Sequence, residues 1–265
     1  MLLEVKGFSK QFGGLAAISN VDFSVKKGEI RGLIGPNGSG KSTLFNLISG
    51  VYTPDKGRIS LDGEDISGLE PHEIARRGIA RTFQLLRLFG QMTVLENLLV
   101  GHHAHIRYSA PAAIFGLPNV WAEETRVKDE MMDLLSFIGL ADYAGMPAGE
   151  LSGGQRRLLT IGRAIAMRPK ILLLDEPAAG LSPVNVDNLL RLIVSLKERY
   201  GLTLVVIEHI LKVVMDTCET VTVLEHGEKI AEGPPAKIKD DPRVVEAYLG
   251  KEMSDAEVQA FLKAS

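Results

Sequence analysis

Residues 35–42, GPNGSGKS, continue from a strand pattern, EIRGLIG, and lead into a helical pattern, KSTLFNLISG. They satisfy the spacing G-x-x-x-x-G-K-[ST] in full, in the strand–loop–helix context that gives the spacing its meaning. The glycines let the backbone bend around phosphate oxygens, so that successive N–H groups point inward. Asn37 and Ser39 contribute mainly backbone, Lys41 supplies positive charge for the β- and γ-phosphates, and Ser42 offers a hydroxyl to Mg²⁺. Gly35, Pro36, Asn37, Gly38, Ser39, Gly40, Lys41, Ser42 and Thr43 are therefore the candidate residues for binding a nucleoside triphosphate.

A second stretch of anion-holding character follows about a hundred residues later, well beyond the reach of the first motif. In LSGGQRR, residues 151–157, Ser152, Gly153 and Gly154 are small and open an apolar run. Such residues expose backbone N–H groups at a helix start, where negative charge is favoured. Read from spacing alone, two cradles in one chain are a puzzle.

The rest of the chain alternates strand and helix patterns. LLEVKGFSKQF and VDFSVKKGEI are β-type runs, the second alternating apolar Val21, Phe23 and Val25 with polar neighbours. GRISLDGEDI carries Asp62-Gly63 as a hairpin turn. After about residue 84 the apolar spacing becomes helical, as in MTVLENLL and VKDEMMDLLSFIGL, with SAPAAIFGLPNV read as an interrupting loop. KILLLDEP and LTLVVIEH are short, apolar and β-branched, as buried parallel strands are, and VNVDNLLRLIVSLKERY between them makes a β–α–β crossover. TVTVLEHGEKIAEG reads as a terminal hairpin before a charged helical tail.

Bulk properties exclude several classes. In 265 residues, 45% are hydrophobic and 24% charged, an ordinary globular balance, and the net charge of −3 gives no basic footprint for nucleic acid. Cys218 is the one cysteine, which precludes an intrachain disulfide and fits a reducing compartment. Glu4 and Lys6 fall too early for a signal-peptide apolar core, and no run approaches the roughly 18 apolar residues that span a bilayer. Any membrane role then depends on partners.

ILLLDE, residues 171–176, puts Asp175 and Glu176 at the end of an apolar strand, where open α/β sheets gather ligands. Mg²⁺ keeps most of its waters, so Asp175 suffices as carboxylate ligand, leaving Glu176 to orient water or take its proton. Adjacent strand residues face opposite ways, so the pair serves one site only if the strand ends here, as Pro177 suggests. His209 ends the next apolar strand, either as ordinary polar trim of a strand end or as an imidazole facing the same phosphates.

Together these motifs resemble the nucleotide-binding subunits of ABC transporters, over residues 1 to about 250. GPNGSGKST is similar to Walker A, ILLLDE to Walker B and LSGGQ to the family signature. The resemblance implies an α/β P-loop NTPase core with a mostly parallel sheet, an N-terminal antiparallel β subdomain and an inserted α-helical subdomain carrying the signature. In this reading residues 1–250 are one cassette, with 1–84 and 156–235 as core, 85–155 as helical subdomain and 236–265 as helical tail. It implies that Gln84, in RTFQ, touches Mg²⁺ and the attacking water, that His209 is the switch histidine, and that Phe12 stacks on adenine. The metal set is then Ser42, Gln84 and Asp175, and the catalytic set Glu176, His209 and Gln84. Ser152, Gly153, Gly154 and Gln155 are implied to act in trans, on the γ-phosphate held by a second cassette. The second cradle thus becomes a statement about two chains. The chain departs from the family pattern in two places: Ala179 to Ser182 reads AGLS where SALD is common, so the usual aspartate is a serine, and Ile210 stands where aspartate usually follows the histidine.

The segments at 81–103 and 241–250, with DEPAAGLSP, are similar to the longer ATPase subunit of branched-chain amino acid importers. That implies ATP and Mg²⁺ as cofactors, a homodimer or heterodimer with a second ATPase subunit, two transmembrane permeases, and indirectly an extracytoplasmic binding protein. The implied location is peripheral, at the cytoplasmic face of the inner membrane. Importers of urea or short amides and the lipopolysaccharide-export ATPase share much of the motif set. A soluble ABC protein acting on nucleic acid or ribosomes would need a coiled-coil insertion or two cassettes, and a mere binding module has no use for Glu176. Leu86, Leu88 and Phe89 are candidates for a surface that accepts a permease helix, or for core. His102, His103 and His105 have a spacing that does not converge on one ion, so no metal is expected there.

Overall fold

The structure, a computed structural model, describes residues 1–82, 88–106 and 118–249. It divides into two compact units, one of residues 1–81 with the chain from 170 onward, the other of residues 82–169.

The first unit holds two sheets. In chain order its strands are β1 (Leu3–Phe12), β2 (Leu15–Val25), β3 (Ile30–Ile34), β4 (Lys56–Leu61), β5 (Glu64–Asp65), β6 (Ile79–Arg81), β7 (Ile171–Asp175), β8 (Thr203–Ile207), β9 (Thr220–Glu225) and β10 (Glu228–Gly233). An antiparallel sheet runs β2-β1-β4-β5, and a six-stranded sheet runs β10-β9-β3-β8-β7-β6, parallel throughout except for β10. Strands β3, β7 and β8 are buried at every residue, so neither face offers a solvated side to alternate with. β2 alternates as its sequence suggests, with Val21, Phe23 and Val25 buried. Phe8, Phe23 and Phe45 join the apolar side chains of β3, β7 and β8 in one core cluster. Asp62 and Gly63 both have left-handed φ, 54° and 84°, the geometry of a two-residue hairpin turn between β4 and β5.

Three elements of this unit lie outside the strand and helix patterns read from the sequence: β6, and the helices Pro71–Arg77 and Leu211–Thr217. Each is short, and β6 has only three residues. The C-terminal part is two helices, Pro235–Lys239 and Pro242–Leu249, because Pro242 cannot continue the first and starts the second well. Val244 and Ala247 of the latter are buried.

The second unit is helical where described, with helices Val94–His102, Pro118–Phe137 and Gly153–Ala166. The last part of SAPAAIFGLPNV is already helical from Pro118, a residue well suited to a first turn. Thr93 caps the first helix, its hydroxyl accepting from Glu96 N at 3.1 Å while Glu96 Oε2 accepts from Thr93 N at 2.7 Å. Asn97, fully buried, holds the preceding loop: its Oδ1 accepts from Phe89 N at 3.0 Å and its Nδ2 donates to the carbonyls of Phe89 and Thr93. Gly101 lies against Arg163, where a Cβ would collide with the Arg163 carbonyl, so the helices Val94–His102 and Gly153–Ala166 approach backbone to backbone. His102 is buried, His105 Nε2 lies 2.7 Å from the Met167 carbonyl, and no metal-binding cluster occurs among the described residues.

Candidate functional site

The phosphate loop leaves β3 and enters the helix Lys41–Ile48 through Gly40, whose φ of 104° belongs to the left-handed region. A Cβ there would lie 2.7 Å from the Ala17 carbonyl, so β2 packs against the loop only because residue 40 is glycine. From the other side, Gly227 N donates to the Ser39 carbonyl at 3.0 Å, and Gly227 O accepts from Ser19 N at 2.8 Å. The loop is thus gripped by β2 and by the β9–β10 turn.

Lys41 is buried, and its ammonium donates to the carbonyls of Gly35 at 2.7 Å and Pro36 at 2.9 Å. These carbonyls satisfy the charge within the loop, in the place where phosphate oxygens would compete for it. Burial pushes the Lys41 ammonium down from 10.5 to about 8, partly opposed by the negative charges of Glu176 and Asp175. A cavity of about 420 Å³ opens over the loop, lined by Phe12, residues 37–43, Glu176, His209 and His226, with Leu15, Ala16 and Ala17 along one wall. Phe12 is 42% exposed, its ring meeting that of Tyr52 in a T-shaped contact at 5.1 Å and lying 5.6 Å from Lys10 Nζ.

Strand β7 delivers the carboxylates. It ends at Asp175, and Glu176 then takes φ 47°, uncommon for a residue with a side chain. That turn removes the strand alternation that would have aimed the two carboxylates apart, and Glu176 faces the cavity. Its Oε1 lies 2.8 Å from His209 Nε2, at the end of the neighbouring strand β8. Asp175 Oδ2 accepts from Arg81 Nη2 at 2.8 Å. Arg81 also donates to Asn46 Oδ1 at 2.6 Å and Ser49 Oγ at 3.2 Å, so one guanidinium ties the helix after the phosphate loop to β7.

The donor set suits Mg²⁺: the Ser42 hydroxyl is exposed at the loop, and Asp175 ends β7 close enough for its charge to act on Lys41. Gln84 and Leu86 lie outside the described residues.

In the helical unit, Ser152 caps the helix Gly153–Ala166. Its Oγ accepts from Gln155 N at 3.4 Å, and Gln155 Oε1 accepts from Ser152 N at 2.9 Å. Ser152 and Gly153 are exposed, and a Cβ on Gly153 would meet nothing within 4 Å. Leu88 is half-buried, while Phe89 is exposed under the Arg163 guanidinium, which lies 5.6 Å from its ring centre.

A family model for ABC transporters matches residues 18–179. The chain belongs to the ABC transporter family. A second model, for branched-chain amino acid ATP-binding cassette transporters, matches residues 228–253 of this cassette. The high-affinity branched-chain amino acid transport ATP-binding protein BraF of Pseudomonas aeruginosa is 43% identical over 250 residues, 94% of this chain and 98% of that protein. Among solved structures, an ABC transporter cassette in its ADP conformation superposes with a TM-score of 0.82 at 38% identity, covering 94% of this chain and 99% of that one. A dimeric bacterial ABC transporter cassette gives 0.75 at 28% identity, covering 88% and 98%. The cassette therefore has the P-loop NTPase fold of this family. No helix among the described residues is long and apolar enough to cross a membrane.

Within the cassette, the first unit brings together Phe12, the loop residues, Glu176 and His209, and places Asp175 at the strand end beside them. Sequence reasoning passed over four residues of this site. Arg81 and Glu208 are distant in sequence from the groups they hold. His226 sits in the turn of a hairpin that the sequence announces, with nothing to indicate that it faces a cavity. Tyr248, near the C-terminal end of the described chain, accepts a hydrogen bond from the Gly35 amide, and burial pushes its hydroxyl well above the usual tyrosine range.

Proposed function

We propose that the chain is the ATP-hydrolysing subunit of an importer of branched-chain amino acids. It would work as a dimer with a second cassette on the cytoplasmic face of the membrane, beside two permeases fed by an extracytoplasmic binding protein. The observation that carries the hydrolytic reading is the pairing of Glu176 and His209 at 2.8 Å on the wall of the cavity above the phosphate loop. A site for holding nucleotide alone has no need of a carboxylate there.

In this reading Phe12 stacks on adenine, and the amides at the start of the helix Lys41–Ile48 receive the phosphates. Lys41 leaves the Gly35 and Pro36 carbonyls for the β- and γ-phosphates. Glu176 orients a water and takes its proton as the water oxygen bonds to the γ-phosphorus. The bond from that phosphorus to the bridging oxygen breaks, and ADP and phosphate leave. His209 donates to a γ-phosphate oxygen and holds Glu176 in place. Mg²⁺, held by Ser42, Asp175 and Gln84, would neutralise charge developing on the phosphates. Ser152, Gly153, Gly154 and Gln155 of the second cassette would close the site, their helix N-terminus favouring ATP over ADP by its extra charge.

The single-cassette division proposed is 1–84 with 156–235 as core and 85–155 as the helical part, followed by the tail 236–265. The amino acid class rests on the match of residues 228–253 and on the named relative. Uptake of radiolabelled leucine in cells lacking the chain, with and without its restoration, tests it. Restored leucine uptake supports the assignment; restored urea uptake with no effect on leucine contradicts it.

A further inference from the structure

Glu208 lies between the last residue of β8 and His209, and only 2% of it is exposed. Its two carboxylate oxygens serve two different loops. Oε1 accepts from Ala178 N at 2.5 Å, while Oε2 accepts from His209 N at 3.2 Å and from Ile210 N at 3.5 Å. Ala178 is fully buried and stands two residues after Glu176, in the turn that runs to Ser182. That turn is internally bonded, with Ala179 N donating to the Glu176 carbonyl at 3.2 Å and Leu181 N to the Ala178 carbonyl at 3.1 Å.

The ladder between β7 and β8 ends at Asp175 and Ile207. Past that point the chains diverge into loops that carry Glu176 on one side and His209 on the other. They are joined there by Glu176 N donating to the Ile207 carbonyl at 2.9 Å, by the Glu208 carboxylate, and by the Glu176–His209 contact. A buried carboxylate is costly unless well bonded, and here the donors are backbone N–H groups of both loops rather than a cation. No neutral side chain of the same size accepts on both ends. A glutamine would turn its NH₂ toward one of the two loops and oppose a donor with a donor.

We propose that Glu208 is a positioning residue for hydrolysis: its carboxylate locks the loop after Glu176 to the loop that carries His209 and so keeps that pair in register. The inference rests on the hydrolytic reading above. A displacement of the turn 177–182 would then pass through Glu208 to His209, which makes the carboxylate a link between that turn and the reacting groups.

The test compares wild type with Glu208→Gln in the full chain, measuring ATP hydrolysis, ATP binding and thermal stability. If wild type does not hydrolyse ATP, the hydrolytic reading fails on its own account. If wild type is active, Glu208→Gln should lower kcat by about tenfold to a hundredfold, the range for one charge-assisted bond, with KM for ATP within about twofold. Combined with His209→Ala, it should add less than about twofold, because both changes remove the same arrangement. An unchanged kcat, or a loss that multiplies in full on the His209→Ala background, overturns the proposal. So does a fall in KM affinity and melting temperature in step with kcat, the mark of a merely structural role. Should Glu208→Gln not fold, Glu208→Asp keeps the charge and withdraws it by one methylene, and the same split between kcat and KM is required of it.

Discussion

Glu176 and His209 stand 33 residues apart in the chain and meet at 2.8 Å between Oε1 and Nε2. They do so because adjacent parallel strands end level, Asp175 opposite Ile207, and because Glu176 leaves its strand with a left-handed backbone. In the proposed reading Glu176 supplies a proton acceptor for water and His209 a donor for phosphate. His209→Ala is expected to cut kcat for ATP hydrolysis by at least about tenfold while changing KM little, since its contact matters most as charge moves. Steady-state phosphate release checks this, and a rise in KM at constant kcat would contradict it.

Lys41 supplies a pH signature. Its ammonium titrates at about 8 in the nucleotide-free protein against an ordinary 10.5, mainly because it is buried. Bound phosphates restore the charged form, so binding ATP takes up protons between those two values, approaching one per site. Affinity falls as pH rises through the same window. Stability of the nucleotide-free chain moves the other way: the unfolded lysine binds more protons there, so folding becomes more favourable as pH rises above about 8. Calorimetric titrations in buffers of different ionisation enthalpy measure the uptake. Lys41→Arg, which stays charged, should abolish it; uptake that survives in this variant assigns the proton elsewhere.

Asn97 predicts a stability effect confined to the helical unit. It is buried among four backbone contacts to residues 89–93, including both polar groups of Phe89. Asn97→Leu strands those groups away from water and should cost about 2–3 kcal/mol, read as a lower denaturant midpoint. A loss below about 0.5 kcal/mol would mean that the loop finds other partners.

Ser152 predicts an effect that depends on protein concentration. Its side chain is exposed and caps a helix whose start would meet a second cassette. Ser152→Arg should leave ATP binding to the single chain within about twofold, while suppressing the proposed ATP-dependent dimerisation, to be followed by gel filtration, and with it hydrolysis. Normal hydrolysis in this variant contradicts the role in trans.

Much of this site was legible in the residues. The phosphate loop declares itself because its function fixes residue types at fixed offsets, and the Asp62-Gly63 turn because both positions need left-handed φ. Short apolar runs marked β7 and β8, since strands buried along their whole length carry few polar positions. What escaped reading is non-local. β6 is three residues long, and its Arg81 looks like surface until Asp175 and Asn46 are placed beside it. The left-handed Glu176 decides whether both carboxylates serve one site, and no sequence pattern reports it. Glu208, beside a motif histidine, belongs to no motif of its own, and its burial and its bond to Ala178, 30 residues away, are seen only in the folded chain.

The most direct measurement is ATP hydrolysis by Glu176→Gln beside wild type, with Mg²⁺ present and ATP binding followed in parallel. The substitution keeps size and removes the carboxylate that faces the cavity. The account predicts turnover by wild type and a loss of at least about a hundredfold in the variant, with ATP affinity within about twofold. Hydrolysis by the variant at the wild-type rate would contradict it.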